Sequence, residues 1–222
     1  MRKPELDYRE FRLSKINAPQ FSHLKLLLSW VGYFAMYFLT ENFIPLKNCH
    51  IIHCSLDDKI PFCEWFIIPY VFWYLLIFIS LLYFLLYNVD SFKKLQVYII
   101  ITQIVAMAVY VIYPNCQNLR PDVFPRDNFL TDCLGFLYRI DTNTGVCPSL
   151  HCAYSIGIAS VWLKEKNISK ILKVSVVTAA VIICMSTMFV KQHSVIDFLA
   201  AIPVCIFAEI LVFKVIYPQN CT

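Results

Sequence analysis

The sequence predicts an all-α protein, a single bundle of six membrane-spanning helices with both termini in the cytoplasm and a polar site at the outer membrane–water boundary. Three observations carry that prediction. Of 222 residues, 59% are apolar and only 15% charged, with a mean hydropathy of +0.62, whereas a soluble domain runs at about 45–50% and about 25%. The apolar residues gather in blocks close to the ~20 residues that carry a helix across a bilayer. Lys and Arg are shared unequally between the loops that separate those blocks. Only four glycines are present, which leaves no material for a glycine-rich phosphate loop. No repeat or low-complexity linker divides the chain, so 1–222 reads as one integral membrane domain.

The elements follow in order. Residues 1–23 form a basic cytoplasmic segment with Arg2, Lys3, Arg9, Arg12 and Lys15, a composition drawn to anionic headgroups that needs no nucleic-acid partner. Block 24–44 is too long for a signal peptide and lacks a small-residue cleavage site, so it reads as the first span. Blocks 66–87 and 95–113 are the second and third. Block 149–163 is short and begins with polar groups, and blocks 171–190 and 195–217 complete the six. Thirteen of the 19 Lys and Arg fall in 1–25, 88–94, 164–173 and at Lys214. That bias places those segments in the cytoplasm. Loops 45–65, 114–148 and 191–194 then face outward, as in a protein of the plasma membrane. On this topology the sequon at Asn167 is cytoplasmic.

Six cysteines, Cys49, Cys54, Cys63, Cys116, Cys133 and Cys147, lie in the first two outward loops. An even number in an oxidising compartment predicts disulfides tying those loops together, with fifteen possible pairings. Cys152, Cys184 and Cys205 fall within spans, as packing residues.

Two spans begin with groups that bilayers reject. His193 and Asp197 are four residues apart, so on a helix they share one face. A carboxylate so placed holds the imidazole in one tautomer and stabilises its cation, leaving the other ring nitrogen a better base or nucleophile. Pro148 and Ser149 read as a helix start, whose N–H groups and partial positive charge suit an anion. His151 follows within one turn, placed to donate a proton, and Arg120 offers a donor fork fitted to phosphate. Taken singly, these are a cap, a buried polar histidine and a solvated arginine. Together at one face they point to phosphate chemistry.

These residues also resemble a known family. Pro148-Ser149-Leu150-His151 is similar to the P-S-G-H motif of the type 2 phosphatidic acid phosphatase superfamily, the integral lipid phosphate phosphatases. Ser186, His193 and Asp197 match the spacing of its S-R-x5-H-x3-D motif, and Arg120-Pro121 resembles the end of its K-x6-R-P motif. The resemblance covers about 66 to 217. It implies that His193 attacks phosphorus to form a phosphohistidine, that Asp197 orients it, and that His151 protonates the leaving oxygen and then assists water. Ser149, the N–H groups about Leu150, Ser186 and Arg120 are implied to hold the non-bridging oxygens, with neither metal nor cofactor.

The sequence departs from that pattern at three places. Tyr113 stands where the first motif has lysine, Thr187 where the third has arginine, and Leu150 where the second has glycine. Lys191 is in place to restore one charge or to snorkel as an anchor, and Arg126 and Arg139 are further candidates. The implied substrates are phosphorylated membrane lipids: phosphatidic acid, phosphatidylglycerol phosphate or an isoprenyl pyrophosphate. Loss of the two cations is also compatible with headgroup transfer, as in inositol phosphorylceramide or sphingomyelin synthases. A non-catalytic lipid binder or transporter is a third reading, against which His151, His193 and Asp197 argue.

Other patterns carry less. Cys49, His50, His53 and Cys54 have the residue types of a zinc site without the usual spacing. A protease triad of Ser149, His193 and Asp197 leaves His151 without a role. Residues 129–140 read as a short helix on the bilayer surface or as a loop plug, and Glu209 as a partner for a neighbouring helix.

Overall fold

The computed structural model describes residues 4–43 and 49–218, with the backbone alone for 41–43. After short 3-10 turns at Tyr8–Glu10, Leu13–Lys15 and Ser22–Leu27, the described residues form α1 (Leu28–Phe43), α2 (Ile67–Tyr87), α3 (Val89–Ile112), α4 (Phe129–Ile140), α5 (Leu150–Lys164), α6 (Lys170–Phe189) and α7 (Val195–Ile210). A π-helical turn, Leu211–Ile216, prolongs α7. Two two-residue strands, β1 (His50–Ile51) and β2 (Asn115–Cys116), pair in parallel with His50 opposite Asn115.

Four helices are long and apolar enough to cross a membrane: α2 with its leading turn from Glu64, α3, α6, and α7 with its π turn, of 24, 24, 20 and 22 residues. Their outward faces are apolar, with Ile68, Phe72 and Phe78 of α2 and Ile171, Val174 and Val181 of α6 all exposed. In water such a surface is unfavourable; against lipid it costs nothing.

The other two predicted spans are not among these four. The 24–44 block begins as a 3-10 turn and is α-helical for 16 residues, Leu28–Phe43, while residue 44 lies outside the described residues. The 149–163 block forms α5, only 15 residues long and hence about 22 Å at 1.5 Å per residue. It is the helix that α2, α3, α6 and α7 enclose, and ten of its residues are buried, as expected of a helix apolar all round. Gly157 permits the closest approach, since a Cβ there would lie 2.3 Å from the Tyr98 ring on α3.

Capping side chains mark the helix starts: Asn88 for α3, Asn128 for α4, Ser149 for α5, Ser169 for α6 and Ser194 for α7. At one end of the bundle, Asn88 Nδ2 donates to the Glu165 carboxylate at 3.0–3.1 Å and Ser91 Oγ donates to it as well. There too Glu5 accepts from Val89 N–H at 2.7 Å, and Tyr8 OH donates to Leu85 O at 2.9 Å. Of the basic N-terminal residues, Arg2 and Lys3 lie outside the described residues. Glu209 bonds across to α5, 2.5 Å from Lys164 and 2.7 Å from Ser160.

At the opposite end the three predicted outward loops come together. The strand pair joins 50–51 to 115–116, Cys63 N–H donates to Phe189 O at 3.0 Å, and Lys191 Nζ donates to Asp57 O at 2.8 Å. Residues 129–140 are indeed a helix, closed by a capping box between Asn128 and Thr131. No disulfide joins the nine described cysteines, and Cys221 lies outside them. Backbone pairing and buried polar bonds fasten the loops instead.

Candidate active site

The site forms where the starts of α5 and α7 meet. Ser149 N–H donates to Asp197 O at 3.1 Å, so the first turn of one helix is tied to the first turn of the other. Asn115, 1% exposed, prepares this junction. Its Oδ1 accepts from Val146 and Cys147 N–H at 2.9 and 2.8 Å, and its Nδ2 donates to Cys147 O at 3.0 Å. Tyr110 OH donates to Pro148 O at 2.7 Å. The approach to α5 is thus held through backbone groups that would otherwise be buried without partners.

His193 stands two residues before α7, and its Nδ1 donates to Asp197 Oδ2 at 3.1 Å. The same oxygen accepts Ser194 N–H at 2.9 Å as half of a capping box. Burial pulls the His193 pKa down, but the bond to Asp197 and its charge outweigh that, and the net shift is upward. With Nδ1 committed to Asp197, Nε2 is the nitrogen turned to His151, whose Nδ1 stands 3.4 Å away. The His151 ring is wedged against Tyr70 and Trp73, with centroids at 4.5 and 4.1 Å. Among the described residues, His151 Nε2 and Asp197 Oδ1 are buried with no hydrogen-bond partner.

A cavity of about 500 Å³ begins at His151, His193 and Leu150 and runs between aromatic and aliphatic side chains of α1 and α2. Asp141, Thr142, Thr144 and Gln192 form the rest of its polar end. Asp141 is fixed by Tyr70 OH, which donates to it at 2.5 Å. The amides of Leu150 and His151, in the first turn of α5, have no acceptor among the described residues.

The remaining candidates stand around this cavity rather than in its wall. Ser149 is fully buried and its Oγ accepts Cys152 N–H at 3.4 Å, so it caps α5 and makes no bond to His193. Ser186 is also buried, donating to Ile183 O at 2.6 Å. Thr187 acts through its carbonyl, which accepts the N–H groups of Gln192 and His193 at 2.9 and 3.1 Å. Arg120 donates to Gln192 Oε1 at 2.8 Å, Tyr138 O at 3.0 Å and Asp141 O at 2.5 Å, and lies over the Tyr138 ring. Burial lowers its pKa despite the nearby Asp141 charge. The Lys191 ammonium donates to Asp57 O at 2.8 Å and Ile60 O at 2.5 Å. Arg126 pairs with Glu64 at 2.6 Å. Asp57, Asn115, Gln192 and Asp141 were not singled out in the sequence. They bond backbone or distant side chains and leave no spacing to find.

The zinc pattern does not assemble. His50 stacks on Tyr113 at 4.1 Å and His53 bonds Asp58 at 2.8 Å. Among the described residues no group of three or more His, Cys, Asp or Glu side chains could hold a metal ion. No family model, no curated protein and no solved structure matches this chain.

Proposed function

We propose that this protein is a lipid phosphate phosphatase that works through a phosphohistidine on His193, with the active site at the outer membrane–water boundary of a six-span bundle in the plasma membrane. One observation carries the reading: a buried Asp197–His193–His151 relay closes the polar end of an aromatic cavity set among helices apolar enough for a bilayer. A hydrocarbon chain suits the cavity, and the α5 amides suit phosphate oxygens.

His193 Nε2 attacks phosphorus while the P–O bond to the lipid breaks, and the departing oxygen takes a proton from His151. Water then attacks the phosphohistidine, giving its proton back to His151 and releasing inorganic phosphate with His193 restored. Asp197 balances the imidazolium charge that develops on His193. The chemistry uses no metal or cofactor.

A second reading, headgroup phosphotransfer to a lipid alcohol, is favoured by the engagement of Arg120 and Lys191 with backbone carbonyls. A phosphodiester carries less charge than a phosphomonoester and asks less of free cations. A phosphate-release assay on purified protein against a small lipid-phosphate panel, with His193→Ala beside it, tests the first reading. Release that vanishes in the variant supports it. No release from either protein refutes hydrolysis, and a labelled phosphodiester donor with an alcohol acceptor then tests transfer.

A further inference from the structure

We propose that Asp57, together with Lys191, is a positioning residue that sets where the His193 nucleophile stands. Asp57 comes from the 52–62 loop, far from His193 in sequence, and is 2% exposed. Its Oδ2 accepts Ser194 Oγ–H at 2.6 Å and Cys54 N–H at 2.8 Å, and its Oδ1 accepts Val195 N–H at 2.8 Å. The carboxylate is therefore a second cap for α7, delivered from another loop onto the residues that follow His193. A buried carboxylate is costly unless its oxygens are bonded, and here both are, at a helix N-terminus that favours an anion. Burial raises the Asp57 pKa, but the bonds from Ser194, Val195 and Cys54 outweigh it and leave the acid stronger than usual.

Lys191 returns the connection. Its ammonium donates to the carbonyls of Asp57 and Ile60, and its φ of 55° lies in the left-handed region, which a non-glycine residue keeps only when its surroundings impose it. Between the anchors at Lys191 and Ser194 lie only Gln192 and His193, whose N–H groups both bond Thr187 O. The His193 backbone is thus held on both sides by one loop. The charged and titratable neighbours are Lys191, Asp58 and Cys54 about Asp57, and Asp197, His151, Cys152 and Asp141 about His193.

The kinetic arm of the test rests on the phosphohistidine reading; the titration arm does not. Full-length wild type, Asp57→Asn, Asp57→Glu and Lys191→Met are purified in detergent. The His193 titration is followed by NMR of labelled histidine, its signal assigned by loss in His193→Gln, alongside Tm and turnover of a short-chain phosphatidic acid. Asp57→Asn is expected to cut kcat about tenfold or more with KM within about twofold. It should also lower the His193 midpoint by about half a unit as the Asp197 contact loosens. Asp57→Glu should recover part of both losses, and Lys191→Met should show the same signature more weakly. If Asp57→Asn fails to fold, the other two variants decide by the same criteria. A variant that lowers Tm while leaving kcat and the His193 midpoint unchanged overturns the proposal, as does Lys191→Met raising KM at constant kcat. Absence of turnover in wild type refutes the phosphatase reading alone, and the titration still decides the role of Asp57.

Discussion

Replacing Asp197 by Asn isolates the charge of the relay from its geometry. Oδ2 accepts both His193 Nδ1–H and Ser194 N–H, while Oδ1 has no hydrogen-bond partner among the described residues. An Asn with its oxygen in the Oδ2 position keeps both of these hydrogen bonds and the capping box, and what disappears is the negative charge. In the proposed reaction His193 becomes cationic as Nε2 bonds phosphorus, about 3–4 Å from that charge. At an effective dielectric of about 20, two unit charges 4 Å apart interact by about 4 kcal/mol. At 1.36 kcal/mol per tenfold, that predicts a kcat lower by about 10³ with KM little changed. Phosphate release under saturating substrate measures it, and a kcat within tenfold of wild type would refute the argument. The His193 pKa is raised in the folded protein. The stability gained from the pair is therefore complete below the ordinary histidine value of 6.5 and is lost as pH rises through the raised one. The Tm gap between wild type and Asp197→Asn should accordingly narrow at alkaline pH.

Other consequences are equally testable. Gly157→Ala places a methyl 2.3 Å from a buried tyrosine ring, and should destabilise the bundle by about 1–3 kcal/mol, read as a fall in Tm. Arg120→Ala strips a donor from the carbonyls of Tyr138 and Asp141 and from Gln192. A loss of about 2–4 kcal/mol is expected, measured by thermal unfolding; an unchanged Tm would return Arg120 to a purely phosphate-facing role. Asp57 has a lowered pKa, so its stabilisation is present above the ordinary 3.8 and fades as pH falls through the lowered value. Asp57→Asn should flatten that part of the acid-unfolding curve. Turnover should survive an excess of strong chelator, and loss of activity there would refute metal-independent chemistry.

How much was legible in the sequence depends on how local each interaction is. The His193–Asp197 pair follows from an i, i+4 spacing, and the start of α5 from Pro148-Ser149. For 129–140 the alternation of aromatic and polar residues left a short helix and a loop plug both open, and the structure shows the helix. Long-range fastenings were not legible: Asp57 reaches Ser194 from 137 residues away along the chain, and Asn115 gathers backbone groups of Val146 and Cys147. Arg120 and Lys191 were visible as charges, yet nothing in a sequence tells which carbonyls will engage them. Hydropathy marked six blocks, the 149–163 block most weakly, because it registers apolar content and cannot separate a lipid-facing helix from α5, which other helices surround. Even cysteine counting in the loops did not foresee fastening by backbone pairing and a buried carboxylate.

The cavity has walls of unequal standing. The histidines ride on α5, which α2, α3, α6 and α7 enclose, and on the loop before α7, whereas α1 packs chiefly on α3 and its own leading turn. On the proposed reading, reactivity and fit are therefore carried by different parts of the chain. Substitutions along α1, at Trp30, Phe34 or Tyr37, can reshape the space offered to a hydrocarbon tail without disturbing the relay. For the proposed enzyme, selectivity for tail length or branching is then free to drift in evolution, or to be engineered, while the proposed reaction stays fixed.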